Sequence, residues 1–266
     1  MRKNKSRNLF KRIIALFTML CLLCAFFGCA EEEEEAVSRP KKNKATAAQV
    51  NSNAKRVAIT FDDGPHNVRT MAIVDELDKY GYSATFFVVG NRVDGKAYNG
   101  GDAVKYAYSH GNEIAIHGYT HAVYYHNCAD DRYERELSNT KNAIKEVVPD
   151  AKVKLMRPIG GNITDERVEE CDYSVIMWSV DSEDWKYKAR GENGELAQQN
   201  IDIIVENVMS QVKSGDIILM HDIYENTYEA TKIILERLHD EGYDVVSVSE
   251  LLGNAKAGVK YSRRAT

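Results

Sequence analysis

Two patterns alternate along most of the chain. Short apolar runs fall at 57–61, 84–89, 113–116, 154–156, 174–178, 217–220 and 245–248. Between them lie amphipathic stretches with helical spacing at 70–80, 103–110, 132–148, 165–170, 201–212 and 228–241. Strands that alternate with helices predict a mainly parallel sheet with helices outside it. Seven such units over roughly 200 residues suggest a barrel rather than an open sheet, and that length suffices for one sizeable core. In barrels of this kind reactive groups collect where strands end. Polar, chemistry-bearing residues do follow the apolar runs directly here.

The first 53 residues break the pattern. Residues 1–29 carry six Lys/Arg, then an uncharged apolar run from Ile13 to Gly28. That order reads as an export signal; the run is short for a permanent membrane span. Gly28-Cys29 resembles the lipobox of bacterial lipoproteins, in which the Cys is acylated. Membrane attachment through a lipid or signal anchor follows as an expectation, although Phe26 and Phe27 depart from the lipobox pattern. Residues 30–53 hold a five-Glu block, a basic patch and no apolar period. They read as a solvated, disordered tether. One domain, 54–266, remains.

Composition narrows the partners. Setting aside the leader's six basic residues leaves 29 of the 35 Lys/Arg against 40 Asp/Glu. An acidic domain is a poor match for nucleic acid. Only Cys128 and Cys171 lie in the domain, as a disulfide or as two free thiols. The basic tail after Gly253 has no apolar period and is expected to fray.

The candidate chemistry sits at the predicted strand ends. Phe61-Asp62-Asp63-Gly64-Pro65 ends the first strand. Adjacent carboxylates can face one site where Gly-Pro breaks the strand, one holding a cation and the other handling protons. Alone, the same residues also describe a tight turn. His117-Gly118-Tyr119-Thr120-His121 ends the third strand. Its i, i+4 His pair lacks the Glu of H-E-x-x-H, and a lone His pair is as well a surface or helix-start feature. Two imidazoles plus one carboxylate make a catalytic zinc set with an open position. Asp63, His117 and His121 supply it, which leaves Asp62 to act as base. Arg157, after the fourth strand, could pair with Asp62. His221, after Asp216-Ile217-Ile218-Leu219-Met220, could act as general acid. Asp181-Ser182-Glu183-Asp184-Trp185 offers acids to tune that His and an indole to wall a small apolar pocket. Each of these has a bland alternative as a loop or surface residue.

The order TFDDGP, H-x-x-x-H, R-P-x-G-G, D-x-x-D-W and I-x-L-x-H resembles the polysaccharide deacetylase family, the NodB-homology or carbohydrate esterase 4 group. The match runs from about Arg56 to Leu252. The resemblance implies a distorted (β/α) barrel of about seven parallel strands. It also implies a divalent metal, zinc first with cobalt among the alternatives, and hydrolysis of acetyl groups on sugars. By position, Asp62 matches the family's base, and Asp63, His117 and His121 its metal ligands. Arg157 matches the Arg that orients the base, Asp184 the tuner of the catalytic His221, and Trp185 and Leu219 the walls of the acetyl pocket. Three departures stand out. Gly118 replaces a usual Ser or Thr. Ile159 and Gly160 replace a usual Pro and a frequent Tyr at the substrate contact. Ala115-Ile116 replaces a frequent Gly-Asn.

For an exported protein the first polymer met is peptidoglycan, so its N-acetylglucosamine is the leading expected substrate. N-acetylmuramic acid, chitin oligomers, acetylated xylan and exopolysaccharide are the alternatives. The rival classes are a non-catalytic glycan-binding relative and a small-molecule amidase.

Overall fold

Strand β1 (Lys55–Asp62) is the one the rest of the sheet is arranged around, and its last six residues are all buried. Val57, Ile59 and Phe61 point into the larger core beneath the helices. Ala58 points the other way, into a smaller cluster with Phe87, Ala115, Leu155, Ile176 and Ile217. These residues come from different strands, so the cluster fills the hollow of a curved sheet. Period-two alternation places Thr60 and Asp62 on the same inner side as Ala58. A strand buried on both faces needs an unbroken apolar run, which is the pattern the sequence carries.

The structure, a computed structural model, describes residues 55–95, 100–191 and 194–264. The leader, Cys29 and the tether lie outside these residues. Strands β2 (Thr85–Val88), β3 (Glu113–Ile116), β4 (Leu155–Met156), β5 (Ser174–Ile176), β6 (Val180–Asp181), β7 (Ile217–His221), β8 (Tyr243–Val245) and β9 (Lys260–Tyr261) complete the sheet. Their order is β6-β7-β1-β2-β3-β4-β5-β9, with β8 also on β1. The named strands pair in parallel throughout. The sheet curls into a barrel that is incompletely closed: among the described residues no ladder joins β5 to β6. Helices α1 (Arg69–Lys79), α2 (Gly90–Val93), α3 (Gly100–Ser109), α4 (Asp130–Val147), α5 (Asp165–Glu169), α6 (Gln198–Met209), α7 (Glu225–Asp240) and α8 (Val248–Leu252) complete the order. Helix α7 shows why its sequence was readable. Its buried Ala230, Ile234, Leu235 and Leu238 recur at helical spacing.

The first six apolar runs each coincide with a strand, and two expectations need correction. The last run, 245–248, is not one strand. β8 ends at Val245, and Ser247 turns the chain by accepting the Glu250 N–H on its hydroxyl at 3.3 Å. That Ser-x-x-Glu cap starts α8. The tail after Gly253 does not fray within the described residues. β9 pairs with β5 through Val175–Lys260 and Ile176–Tyr261, and Arg263 forms an ion pair with Asp216, whose side chain is 1% exposed. An otherwise open strand edge and a buried carboxylate both find their partners in the tail. Cys128 and Cys171 are free thiols, and Cys128 Sγ accepts from Arg167 Nη1 at 3.0 Å.

Removing the chain after Gly253 uncovers β5 and leaves Asp216 without its cation. Stranding a buried charge costs about 3 kcal/mol or more. The truncated domain should therefore melt about 5–10 °C lower by calorimetry; an unchanged midpoint would show that the tail contributes nothing to the fold.

Candidate active site

The reactive residues meet because parallel strands end together. Asp62 and His221 are Cα partners on the last rung between β1 and β7. His117 follows β3 and donates its N–H to Val88 O at 3.0 Å, and Arg157 follows β4 and donates its N–H to Ile116 O at 2.8 Å. Asp184 follows β6. All five strand ends lie at the C-terminal edge of the parallel sheet.

The two adjacent carboxylates are held differently. Arg157 is fully buried. Its Nη1 donates to Asp62 Oδ1 at 2.7 Å and to Thr60 Oγ1 at 2.8 Å. Its Nε and Nη2 donate to the carbonyls of Ile176 and Met177, each at 3.0 Å. The guanidinium also lies 4.2 Å over the Phe87 ring. One oxygen of Asp62 is thus fixed, and the other faces His117 Nε2 at 3.7 Å. Asp63 points elsewhere because its backbone is left-handed, with φ 69°. For a non-glycine residue that costs about 1–3 kcal/mol and marks a position the surroundings over-determine.

Asp63 Oδ1 lies 3.3 Å from His117 Nε2 and 2.7 Å from His121 Nε2, and His121 too is left-handed at φ 55°. One ligand atom from each of the three residues falls within 4.8 Å of the others. Two observations show that this donor set fits a divalent cation. His117 Nδ1 lies 2.9 Å from Arg157 O. A carbonyl only accepts, so Nδ1 carries the hydrogen and Nε2 is left with its lone pair, the usual arrangement of a metal-ligating imidazole. The site also attracts positive charge. Burial would raise the Asp63 carboxyl, but the two imidazoles hold it far below the usual carboxylate range. Burial would lower His117, but Asp62 and then Asp63 hold it above its ordinary value. Two nitrogens and one oxygen suit zinc, cobalt and similar ions.

His221 is held by one carboxylate at two points. Asp184 Oδ1 takes the Nδ1 proton at 2.7 Å, and Oδ2 takes the His221 backbone N–H at 2.7 Å. Thr227 Oγ1 donates to the same Oδ2 at 2.7 Å. Burial alone would lower the imidazole pKa, but the hydrogen bond and charge of Asp184 raise it to about 9.

Known proteins resemble this chain along most of the domain. A family model for polysaccharide deacetylase matches residues 49–175. A peptidoglycan-N-acetylglucosamine deacetylase of Bacillus cereus is 35% identical over 212 residues, covering 77% of this chain and 91% of that protein. The chain belongs to the polysaccharide deacetylase family. The peptidoglycan-N-acetylmuramic acid deacetylase PdaC of Bacillus subtilis is 34% identical over 82% of this chain and 42% of its own length. The solved structure of a family 4 acetyl xylan esterase from Clostridium thermocellum, in complex with a cobalt ion, superposes with a TM-score of 0.68. It is 27% identical, and the match covers 79% of this chain and 98% of that one. The chain spans about two fifths of the length of the first curated relatives it matches.

Against the polysaccharide deacetylase pattern, the departures now have physical context. At Gly118, φ is 92°, and a Cβ there would stand 2.6 Å from Tyr125 Oη. Only glycine fits both conditions. Bracing of the loop comes instead from Glu136 on α4, which the sequence reading missed. Its carboxylate takes the N–H groups of Tyr119 and Thr120 and the Thr120 hydroxyl. Gly160 is left-handed at φ 60°, and a Cβ there would lie 3.5 Å from the ring of Tyr124, itself half exposed. An aromatic from the metal loop therefore stands beside the position where the family often has Tyr. Leu219 is buried on β7, opposite Thr60 of β1 and Asp181 of β6 and on the same side as His221. Trp185 is 46% exposed, with Lys186 Nζ 5.2 Å over its ring.

The His221 imidazole in chelator-treated protein should titrate near 9 by NMR, gaining its proton as pH falls below that value. Asp184→Asn should move the midpoint down, toward about 6.5. A midpoint unmoved by the substitution would show that Asp184 is not what raises it.

Proposed function

We propose that the protein is a divalent-metal-dependent N-deacetylase of cell-wall polysaccharide, with peptidoglycan N-acetylglucosamine as its first substrate. The observation that carries the reading is the pair of held groups across the last β1–β7 rung. A carboxylate fixed by Arg157 lies on one side and an imidazole charged up to about pH 9 on the other.

A divalent cation held by Asp63, His117 and His121 supplies Lewis-acid polarisation of an acyl carbonyl and acidifies water. Asp62 keeps Oδ1 on Arg157 and presents Oδ2 to accept a proton from water as it attacks the acetamide carbon. The new C–O bond forms first and makes the carbon tetrahedral; the C–N bond breaks afterwards, once its nitrogen takes a proton. His221 gives the proton on Nε2 to the departing sugar nitrogen, while Asp184 holds Nδ1 and stabilises the charged ring. Acetate and a free amino sugar result. Leu219 and Trp185 are assigned to the acetyl-methyl pocket and Gly160 to the rim that meets the sugar.

Zinc is the metal we assign, cobalt the alternative; the nitrogen-rich donor set supports both. Peptidoglycan is supported by what the relatives' names say those proteins act on. Export and a lipid anchor at Cys29 are supported by the leader's basic and apolar regions. Among the described residues no helix is long and apolar enough to cross a membrane. A glycan-binding relative without chemistry would need neither the held base nor the charged acid.

The test is acetate release from purified peptidoglycan and from chitin oligomers. Chelation should abolish release, and added zinc or cobalt should restore it. Asp62→Asn, loaded with metal, should lower kcat by about 10²–10⁴-fold. Full activity in that variant would remove Asp62 as base, and release from chitin alone would remove peptidoglycan as substrate.

A further inference from the structure

The chain between the two candidate His ligands, Gly118-Tyr119-Thr120, belongs to no helix or strand. Something must hold it, since His121 sits in a left-handed conformation that isolated chain avoids. Two contacts come from α2: Gly90 N–H to Gly118 O at 2.9 Å and Asn91 N–H to Tyr119 O at 3.0 Å. The third comes from α4 and is of a different kind. Glu136 is 4% exposed, and no cation pairs with its carboxylate among the described residues. Its Oε2 takes the Tyr119 N–H at 2.7 Å and the Thr120 N–H at 2.8 Å, and its Oε1 takes the Thr120 hydroxyl at 2.7 Å. A buried, unpaired carboxylate is costly unless hydrogen bonds satisfy it; here the loop supplies them. One turn further along, Thr140 Oγ1 donates to Glu136 O at 2.7 Å, which anchors the position on the helix.

Gly118, beside this contact, makes room for the Tyr125 hydroxyl. Its missing Cβ would stand 2.6 Å from Tyr125 Oη and 3.5 Å from Glu136 Oε2. We infer that Glu136 is a positioning residue for the metal trio. It clamps the Tyr119 and Thr120 amides, fixes the backbone that delivers His121 Nε2 to Asp63, and so sets how tightly the trio holds a cation. The side-chain hydrogen bonds of Glu136 go to Tyr119 and Thr120, not to the side chains of the candidate ligands. This inference rests on the metal-dependent reading proposed above.

The experiment measures zinc and cobalt dissociation constants of metal-free protein by competition with a chromophoric chelator, beside the thermal midpoint of the same metal-free samples. Glu136→Leu should weaken both metals by about 10–100-fold, as loss of an outer-shell partner does. Glu136→Gln keeps an acceptor oxygen for the two amides and should stay within a few-fold of wild type. Thr120→Val, which removes only the hydroxyl bond, should fall between them, and it carries the test if Glu136→Leu does not fold. A purely structural Glu136 would lower the midpoint and leave the affinities alone. Wild-type affinity in Glu136→Leu and Thr120→Val, or a loss in Glu136→Gln as large as in Glu136→Leu, overturns the inference. Wild-type protein that takes up no metal overturns both readings. Wild-type protein that binds metal tightly but releases no acetate sinks only the deacetylase reading.

Discussion

A guanidinium with no exposure must satisfy its donors inside the protein, and the Arg157 side chain does so with groups from two strands and their ends. Thr60 and Asp62 belong to β1; the carbonyls of Ile176 and Met177 lie at and just after the end of β5. All four of these groups accept from Arg157, which ties β1 to the end of β5. The same residue's own carbonyl takes the Nδ1 hydrogen of His117. One buried residue therefore holds the Asp62 carboxylate and the tautomer of a candidate metal ligand. Removing it would strand Asp62, which is 3% exposed, at a cost of about 3–5 kcal/mol.

That constraint lets two neighbouring carboxylates do different things. Asp62 is tied inward; Asp63, with its left-handed backbone, is turned toward the imidazoles. The surroundings are crowded with acids, and they are accommodated unequally. Burial pushes the Asp222 carboxyl up to about 7, with the charge of Asp63 adding to the rise, while Thr70 donates a hydrogen bond that opposes it. Burial likewise raises Asp181. Near neutral pH Asp222 therefore carries less than a full negative charge. Asp63 keeps its charge beside the imidazoles, where a cation can use it.

Much of this was legible in the sequence because it depends on local pattern. Six of the seven apolar runs mark strands, and Asp62, Asp63, His117, Arg157, Asp184 and His221 each stand at or just after a strand end, so a parallel sheet gathers them without further instruction. The missed parts are tertiary. β9 is two residues in a polar tail, and its partner edge on β5 is visible only when folded. Glu136 left a faint signal: with Thr140, Ala143 and Ile144 it occupies the buried stripe of α4, and a charged residue on such a stripe asks for a partner. That the partner is the loop between two histidines could not be read from spacing. Gly118 reads as a departure from the family until the Tyr125 hydroxyl is seen to approach the space a side chain would fill.

The division between Asp62 and Asp63 is the claim on which the chemistry rests. Anomalous scattering from crystals soaked in zinc, at the zinc edge, tests it directly. The account predicts one strong peak bonded to Asp63, His117 and His121, with Asp62 still on Arg157. A peak that draws Asp62 off Arg157 and onto the ion, or one that avoids His117 and His121, would contradict it.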